Sequence, residues 1–174
     1  MPTLNKKRNI QEYISGYVDG EGCFSISFSK RDKFLVGFET KPSFSVSQNE
    51  DRAQILFLIQ KVFKCGFIRR DYSDKTLKYE VRSLDDLINK VIPHFEKYPL
   101  LSDKQKDFKF FKQVCFLMQR NLHREKNGLN KIINLVFKMN PSGKRKYTKV
   151  EIQKALRWRY SLILLVREVN INEV

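Results

Sequence analysis

Cysteine and histidine are both scarce in this chain: Cys23, Cys65 and Cys115 are the only thiols, and His94 and His123 the only imidazoles. The thiols are odd in number and far apart, and none has the spacing of a zinc site. Neither a disulfide framework nor structural zinc is therefore indicated, and a reducing compartment suits such a chain. Long apolar runs are missing as well. The longest aliphatic stretch, Leu162 to Val166, is far short of the roughly 20 residues that span a bilayer. The start Met1-Pro2-Thr3 begins neither a secretory apolar core nor an arginine-rich presequence.

Acidic residues are in deficit too. Against 34 Lys and Arg stand 19 Asp and Glu, a formal net charge of +15. That bias is too strong for an ordinary enzyme of small molecules, and the partner it suits is nucleic acid, whose phosphates attract cationic side chains. An anionic membrane surface is the alternative, but no basic amphipathic helix stands apart from the apolar pattern to serve it. No repeat or low-complexity segment is visible.

What the chain does have is enough apolar material for one substantial core. With 174 residues, 41% of them hydrophobic and fourteen of them Phe, it reads as a single domain over residues 1–174. Its core runs over about residues 8–120, followed by a helical extension over about 121–174.

The most informative segment is Ile14-Ser15-Gly16-Tyr17-Val18-Asp19-Gly20-Glu21-Gly22. Ile10, Tyr13, Ile14, Tyr17 and Val18 recur at helical spacing and predict one apolar face. Gly16 and Gly20, four apart, share a face on which another helix could come close, a use that offsets the roughly 1 kcal/mol each costs inside a helix. Gly22 stands where a left-handed helix end is expected. Glu21 then falls in the last turn, where the helix dipole is already negative, so a cation is needed beside it.

After Cys23 the pattern changes to period two. Phe24, Ile26 and Phe28 alternate with Ser25, Ser27 and Ser29, and Phe38, Phe44 and Val46 alternate with Lys41, Ser43, Ser45 and Ser47. Short hydroxyls on the polar faces suit a surface that lies along a groove and reaches base edges; a plain water-facing sheet is the other reading. Ile55, Leu58, Ile59, Val62 and Phe63 mark a helix that Gly66 ends. A hairpin follows, Phe67–Tyr72 and Thr76–Arg82 about Ser73-Asp74-Lys75, with Lys78, Glu80 and Arg82 on one face and Leu77, Tyr79 and Val81 on the other. Ser83 to Asp86 resembles a capping box for a helix through Ile92. Beyond Asp103, Phe108, Phe111, Cys115 and Met118 fit one helical face, and Leu129, Ile132, Ile133 and Val136 another. Asn140-Pro141-Ser142-Gly143 breaks the chain before Lys144-Arg145-Lys146, a phosphate-contacting loop or a solubilising linker. Thr148 to Glu151 caps a last helix carrying Leu156, Trp158, Tyr160, Ile163 and Leu164, whose aromatics are read as core rather than as base-stacking platforms.

The nine residues Ile14 to Gly22 resemble the signature of the LAGLIDADG homing endonucleases, with Gly16, Asp19 and Gly22 identical to it and Glu21 in place of its final Asp. The resemblance implies an α+β fold of αββαββα order, here with extra C-terminal helices, whose antiparallel sheet forms a DNA-binding saddle. It further implies site-specific hydrolysis of double-stranded DNA at a long, pseudo-palindromic site, leaving short 3′ overhangs and promoting intron homing. Glu21 and the Gly20 carbonyl would hold the metal, Mg²⁺ with Mn²⁺ substituting and Ca²⁺ binding without cleavage. Gln48 would orient water. Arg52 and Lys104 would act on the scissile phosphate, with Asp103 as the alternative occupant if the register shifts by one. Arg69, Arg70, Lys78, Arg82 and the serines 25, 27, 29, 43 and 45, with Lys41, would contact DNA. One motif implies a homodimer packed through Tyr13, Ser15, Gly16, Asp19 and Gly20. Such proteins come from organellar introns, chloroplast or mitochondrial. A group I intron maturase, or a DNA-binding protein that does not cleave, is the alternative; neither a membrane nor a small-molecule substrate is expected.

Overall fold

Asn9 opens the first helix, its side-chain oxygen accepting the Gln11 amide at 3.1 Å and so satisfying one of the unpaired donors of the first turn. In the computed structural model, which describes residues 9–72, 75–141, 143–156 and 158, the order of elements is the expected one. Helix α1 spans Ile10–Glu21, strands β1 and β2 Gly22–Lys30 and Phe38–Asn49, helix α2 Gln54–Phe63, and strands β3 and β4 Phe67–Asp71 and Thr76–Val81. A helical run follows through α3 (Leu84–Asp86), a π turn (Leu87–Val91) and α4 (Ile92–Lys97); then come α5 (Lys104–Gln119) and α6 (Lys126–Val136). Residues 149–156 form α7, opened by the expected box: Thr148 Oγ1 accepts the Glu151 amide at 3.2 Å and Glu151 accepts the Thr148 amide at 2.7 Å. Ser73 and Asp74 of the predicted turn, Ser142, and Tyr160, Ile163 and Leu164 lie outside the described residues.

The four strands form one sheet in the order β1-β2-β4-β3. β4 lies antiparallel to both neighbours, with Phe44 opposite Val81 and Phe67 opposite Glu80. Packing divides the chain into two units, Met1–Phe24 with Ser43–Phe108, and Ser25–Pro42 with Lys109–Val174.

Aromatic rings make the core of the first unit. Phe24 stacks on Phe44 at 5.1 Å between centroids and meets Phe95 and Phe108 at 5.4 and 5.3 Å, while Phe63 and Tyr79 close on Phe44 at 5.9 and 6.3 Å. These six rings come from β1, β2, β4, α2, α4 and α5, so one cluster ties the sheet to its helices. In the second unit Leu129, Ile132 and Ile133 of α6 and Phe111, Val114 and Cys115 of α5 are fully buried.

Three expectations are corrected. Gly22 has φ −80° and ψ 156°, extended and not left-handed; it is required because a Cβ there would lie 2.5 Å from Val18 Cγ1. Arg145, in the basic run read as a loop or linker, is tied to its own chain: its guanidinium donates to the carbonyls of Val136, at 2.9 Å, and Met139, and closes the end of α6. Trp158 is 65% exposed, not core.

His94, immediately after Pro93, is buried against Phe63 and Tyr98. The Ser15 hydroxyl donates its only proton to the Tyr98 carbonyl at 2.7 Å, so His94 Nε2, 3.2 Å from the same hydroxyl, must be the donor between them. Burial lowers the imidazole pKa to about 4 from an ordinary 6.5, and the folded protein holds the ring neutral where the unfolded chain would protonate it. Stability is thus present above pH 6.5 and is lost as pH falls towards 4. Between pH 7 and 5 we expect a loss of about 2 kcal/mol from this residue, read from urea midpoints. His94→Gln should flatten that slope, leaving the smaller effect in the same direction of His123, also pushed down by burial.

Candidate functional site

The last turn of α1 carries Gly20 and Glu21, both exposed, and the cation that the helix end requires is Lys104. Its ammonium donates to the carbonyls of Val18 at 3.1 Å, Gly20 at 3.2 Å and Gly22 at 2.5 Å. The Val18 carbonyl also accepts the Gly22 amide, and a charged donor here meets the negative end of the helix dipole. Lys104 is aimed by Asp19. Its carboxylate accepts the amides of Leu101 and Ser102, each at 2.9 Å, and the Ser102 hydroxyl at 2.5 Å, stapling the start of α5 to α1. Burial would raise the Asp19 pKa, but the Ser102 hydroxyl, the two amides and the Lys104 charge outweigh it and hold it below the usual carboxylate range. Asp103, the alternative at this position, points to solvent and pairs with Lys106 at 2.7 Å.

Gln48 and Arg52 are brought to α1 one turn before Glu21. The Gln48 amide donates to the Tyr17 hydroxyl at 2.5 Å, and its oxygen accepts the Asn49 amide at 2.7 Å. A cleft of about 420 Å³ opens here, lined by Tyr13, Tyr17, Gln48 and Arg52 with Ile55 and Leu58. Tyr17 and Glu21 are four residues apart and neighbours on the helix surface, so this cleft and the carboxylate hang on a single element. The Arg52 guanidinium, 76% exposed and only 3.6 Å from equally open Asp51, is weakly held and free to take another anion. A metal needs hard oxygen donors, and Glu21 with the Gly20 carbonyl supplies that kind of donor. Among the described residues no three His, Cys, Asp or Glu side chains converge.

The polar face of β2, β4 and β3 in the first unit carries Ser43, Ser47, Lys78, Glu80, Arg82 and Arg69, with Lys78 opposite both Ser47 and Arg69. Two expected contacts are corrected here. Arg70, opposite Leu77, faces the other way from Arg69 and pairs with Glu50 at 2.5 Å while lying over the Tyr72 ring. Ser45 is 4% exposed, too covered to reach a ligand. In the second unit Ser25, Ser27 and Ser29 alternate with buried Ile26 and Phe28 as expected, and Lys41 pairs with Glu39 at 3.2 Å.

The apolar face predicted for α1 is in fact two faces. Ile14, Val18 and Ser15 turn inward, whereas Ile10 and Tyr13 are 40% and 55% exposed and lie with Gly16 and Gly20 on the open side. A Cβ built at either glycine meets nothing within 4 Å. Ser15 and Asp19 therefore leave the expected dimer contact, since both spend their polar atoms inside their own chain.

The model of the LAGLIDADG endonuclease family matches residues 14–115. This chain belongs to that family. A LAGLIDADG relative from Neurospora crassa, a probable intron-encoded endonuclease, is 31% identical over 160 residues, 91% of this chain and 33% of the relative. Among solved structures, the homing endonuclease I-TnaI superposes with a TM-score of 0.74 at 31% identity, covering 86% of this chain and 97% of that one. I-LtrWI bound to its target DNA superposes with the same TM-score at 37% identity, covering 75% and 44%. The chain spans a third or less of the length of the first curated relatives it matches.

Neither the hold of Tyr17 on Gln48 nor the burial of Glu80 follows from the residue pattern alone. A visible signal existed for the second, one acid alternating with bases in Lys78-Tyr79-Glu80-Val81-Arg82.

Proposed function

We infer that the protein is a site-specific endonuclease of double-stranded DNA that acts as a two-fold dimer. The observation that carries the reading is the end of α1, where an exposed carboxylate and an uncovered glycine face share the last turns of the helix and a lysine ammonium from α5 sits on its terminal carbonyls. Two copies meeting through Ile10, Tyr13, Gly16 and Gly20 bring two Glu21 carboxylates to one seam, each completing what the other lacks. Symmetry then favours a pseudo-palindromic site, cut once on each strand with short 3′ overhangs.

A divalent ion held by Glu21 and the Gly20 carbonyl supplies Lewis-acid stabilisation of the charge on the attacking and leaving oxygens. Lys104 fixes the helix end and adds positive charge beside the phosphate. Gln48, its amide held by Tyr17, presents its remaining hydrogen-bonding capacity to a water. Arg52 pairs with phosphate in place of Asp51. The polar strand faces lie along the groove and read bases, and the surplus of positive charge makes binding fall steeply with salt. The same reading places the gene within an organellar intron and the enzyme in intron homing.

The test is a supercoiled plasmid carrying the host gene without its intron. With Mg²⁺ or Mn²⁺ we expect a single linear product, and with Ca²⁺ a shifted band without cleavage. Binding without linear product in any of these ions and at any salt would favour the non-cleaving reading, and preferential binding of intron RNA would favour the maturase.

A further inference from the structure

The polar face of the sheet holds one acid among its bases. Glu80, 5% exposed, sits in the middle of the sheet, opposite Ser45 on one side and Phe67 on the other. Its Oε2 accepts the Arg82 guanidinium at 2.8 Å and Arg69 Nε at 3.3 Å, and its Oε1 accepts the Ser43 hydroxyl at 2.8 Å. Burial opposes its ionisation, yet Arg82, Ser43 and Arg69 together hold its pKa below the ordinary carboxylate range. The arginine side chains are 39% and 60% exposed while the carboxylate is 6% exposed, so the acid lies beneath the bases it binds. Arg82 is further confined over the Phe67 ring at 5.6 Å.

A guanidinium has five N–H donors in a rigid fork, and one used on a fixed carboxylate sets the direction of the rest. Phosphate contacts carry no sequence information, whereas a fork aimed at a base edge does. Long arginines left free on a cationic face would swing to the nearest phosphate. Resting on the DNA reading above, we propose that Glu80 is a positioning residue for sequence discrimination, holding Arg69 and Arg82 so that their outward donors meet base edges rather than the backbone. It weakens binding to DNA in general by placing a negative charge on the face, and in exchange narrows which sequences bind well.

The test compares the full chain with Glu80→Gln in selection from a duplex library carrying a randomised site, in calcium buffer. Wild type should enrich a consensus. Glu80→Gln should lose about 5- to 100-fold of discrimination at the few base pairs the two arginines read, keeping the rest. Its affinity for unrelated duplex should be unchanged or higher, a direction that simple loss of structure would reverse. Arg69→Gln and Arg82→Gln should relax subsets of the same base pairs and serve if Glu80→Gln does not fold. An unchanged consensus in folded Glu80→Gln, or in both arginine variants, overturns the proposal alone. Wild type enriching no sequence overturns the DNA reading and the proposal with it.

Discussion

Replacing Glu21 by Gln should abolish plasmid linearisation while leaving DNA binding in place. Glu21 is exposed at the end of α1 and is the only carboxylate of the motif not committed to its own chain, since Asp19 is taken up by Leu101 and Ser102. Gln keeps the shape and one oxygen but removes the charge that a hard dication requires. Loss of several kcal/mol of transition-state stabilisation corresponds to a fall in rate of about 10² to 10³ or more, measured as linear product against time at saturating protein. Gel shift against the same DNA in Ca²⁺ should move little, because the phosphate contacts proposed above come from the basic faces. Cleavage at an undiminished rate in Glu21→Gln would show that the metal is held elsewhere.

The second large effect is expected from Gly16→Leu. In its own chain the added side chain meets nothing, because a Cβ at Gly16 finds no heavy atom within 4 Å, and a helix gains about 1 kcal/mol when an interior glycine is replaced by a good helix former. The monomer should therefore become slightly more stable, with a higher urea midpoint. Across a close helix-to-helix seam the same side chain cannot fit. Sedimentation should show monomer for the variant and the proposed dimer for wild type, and double-strand cleavage should be lost with the dimer. A dimer that survives the leucine would place the seam on another surface.

Much of this fold can be read from residue pattern because strands and helices impose different periods on burial. Phe24, Ile26 and Phe28 had to alternate with serines if one sheet face was covered, and α5 and α6 show their apolar faces at helical spacing. What pattern could not resolve was angle within a face. Ile14 and Tyr13 are adjacent and both belong to the apolar pattern of the helix, yet one is fully buried and the other 55% exposed, and the packing partners decide between them. Parity separates Arg69 from Arg70, but it does so only once the register against β4 is known. Gly22 shows a different limit. A glycine next to a helix end suggests a backbone conformation, and here the reason is room for Val18. Electrostatics adds what periodicity cannot: the carbonyls at the end of α1 form the negative pole of the helix, and Lys104, 83 positions after Glu21, brings its ammonium to them.

That lysine has a consequence for handling the protein. Because an internal ammonium already quiets the carbonyls at the end of α1, the helix end is complete before any ion arrives. Chelation should stop turnover without melting the fold, and restoring the ion should restart it with no refolding lag. If so, the protein can be made and stored inert and started by adding the ion.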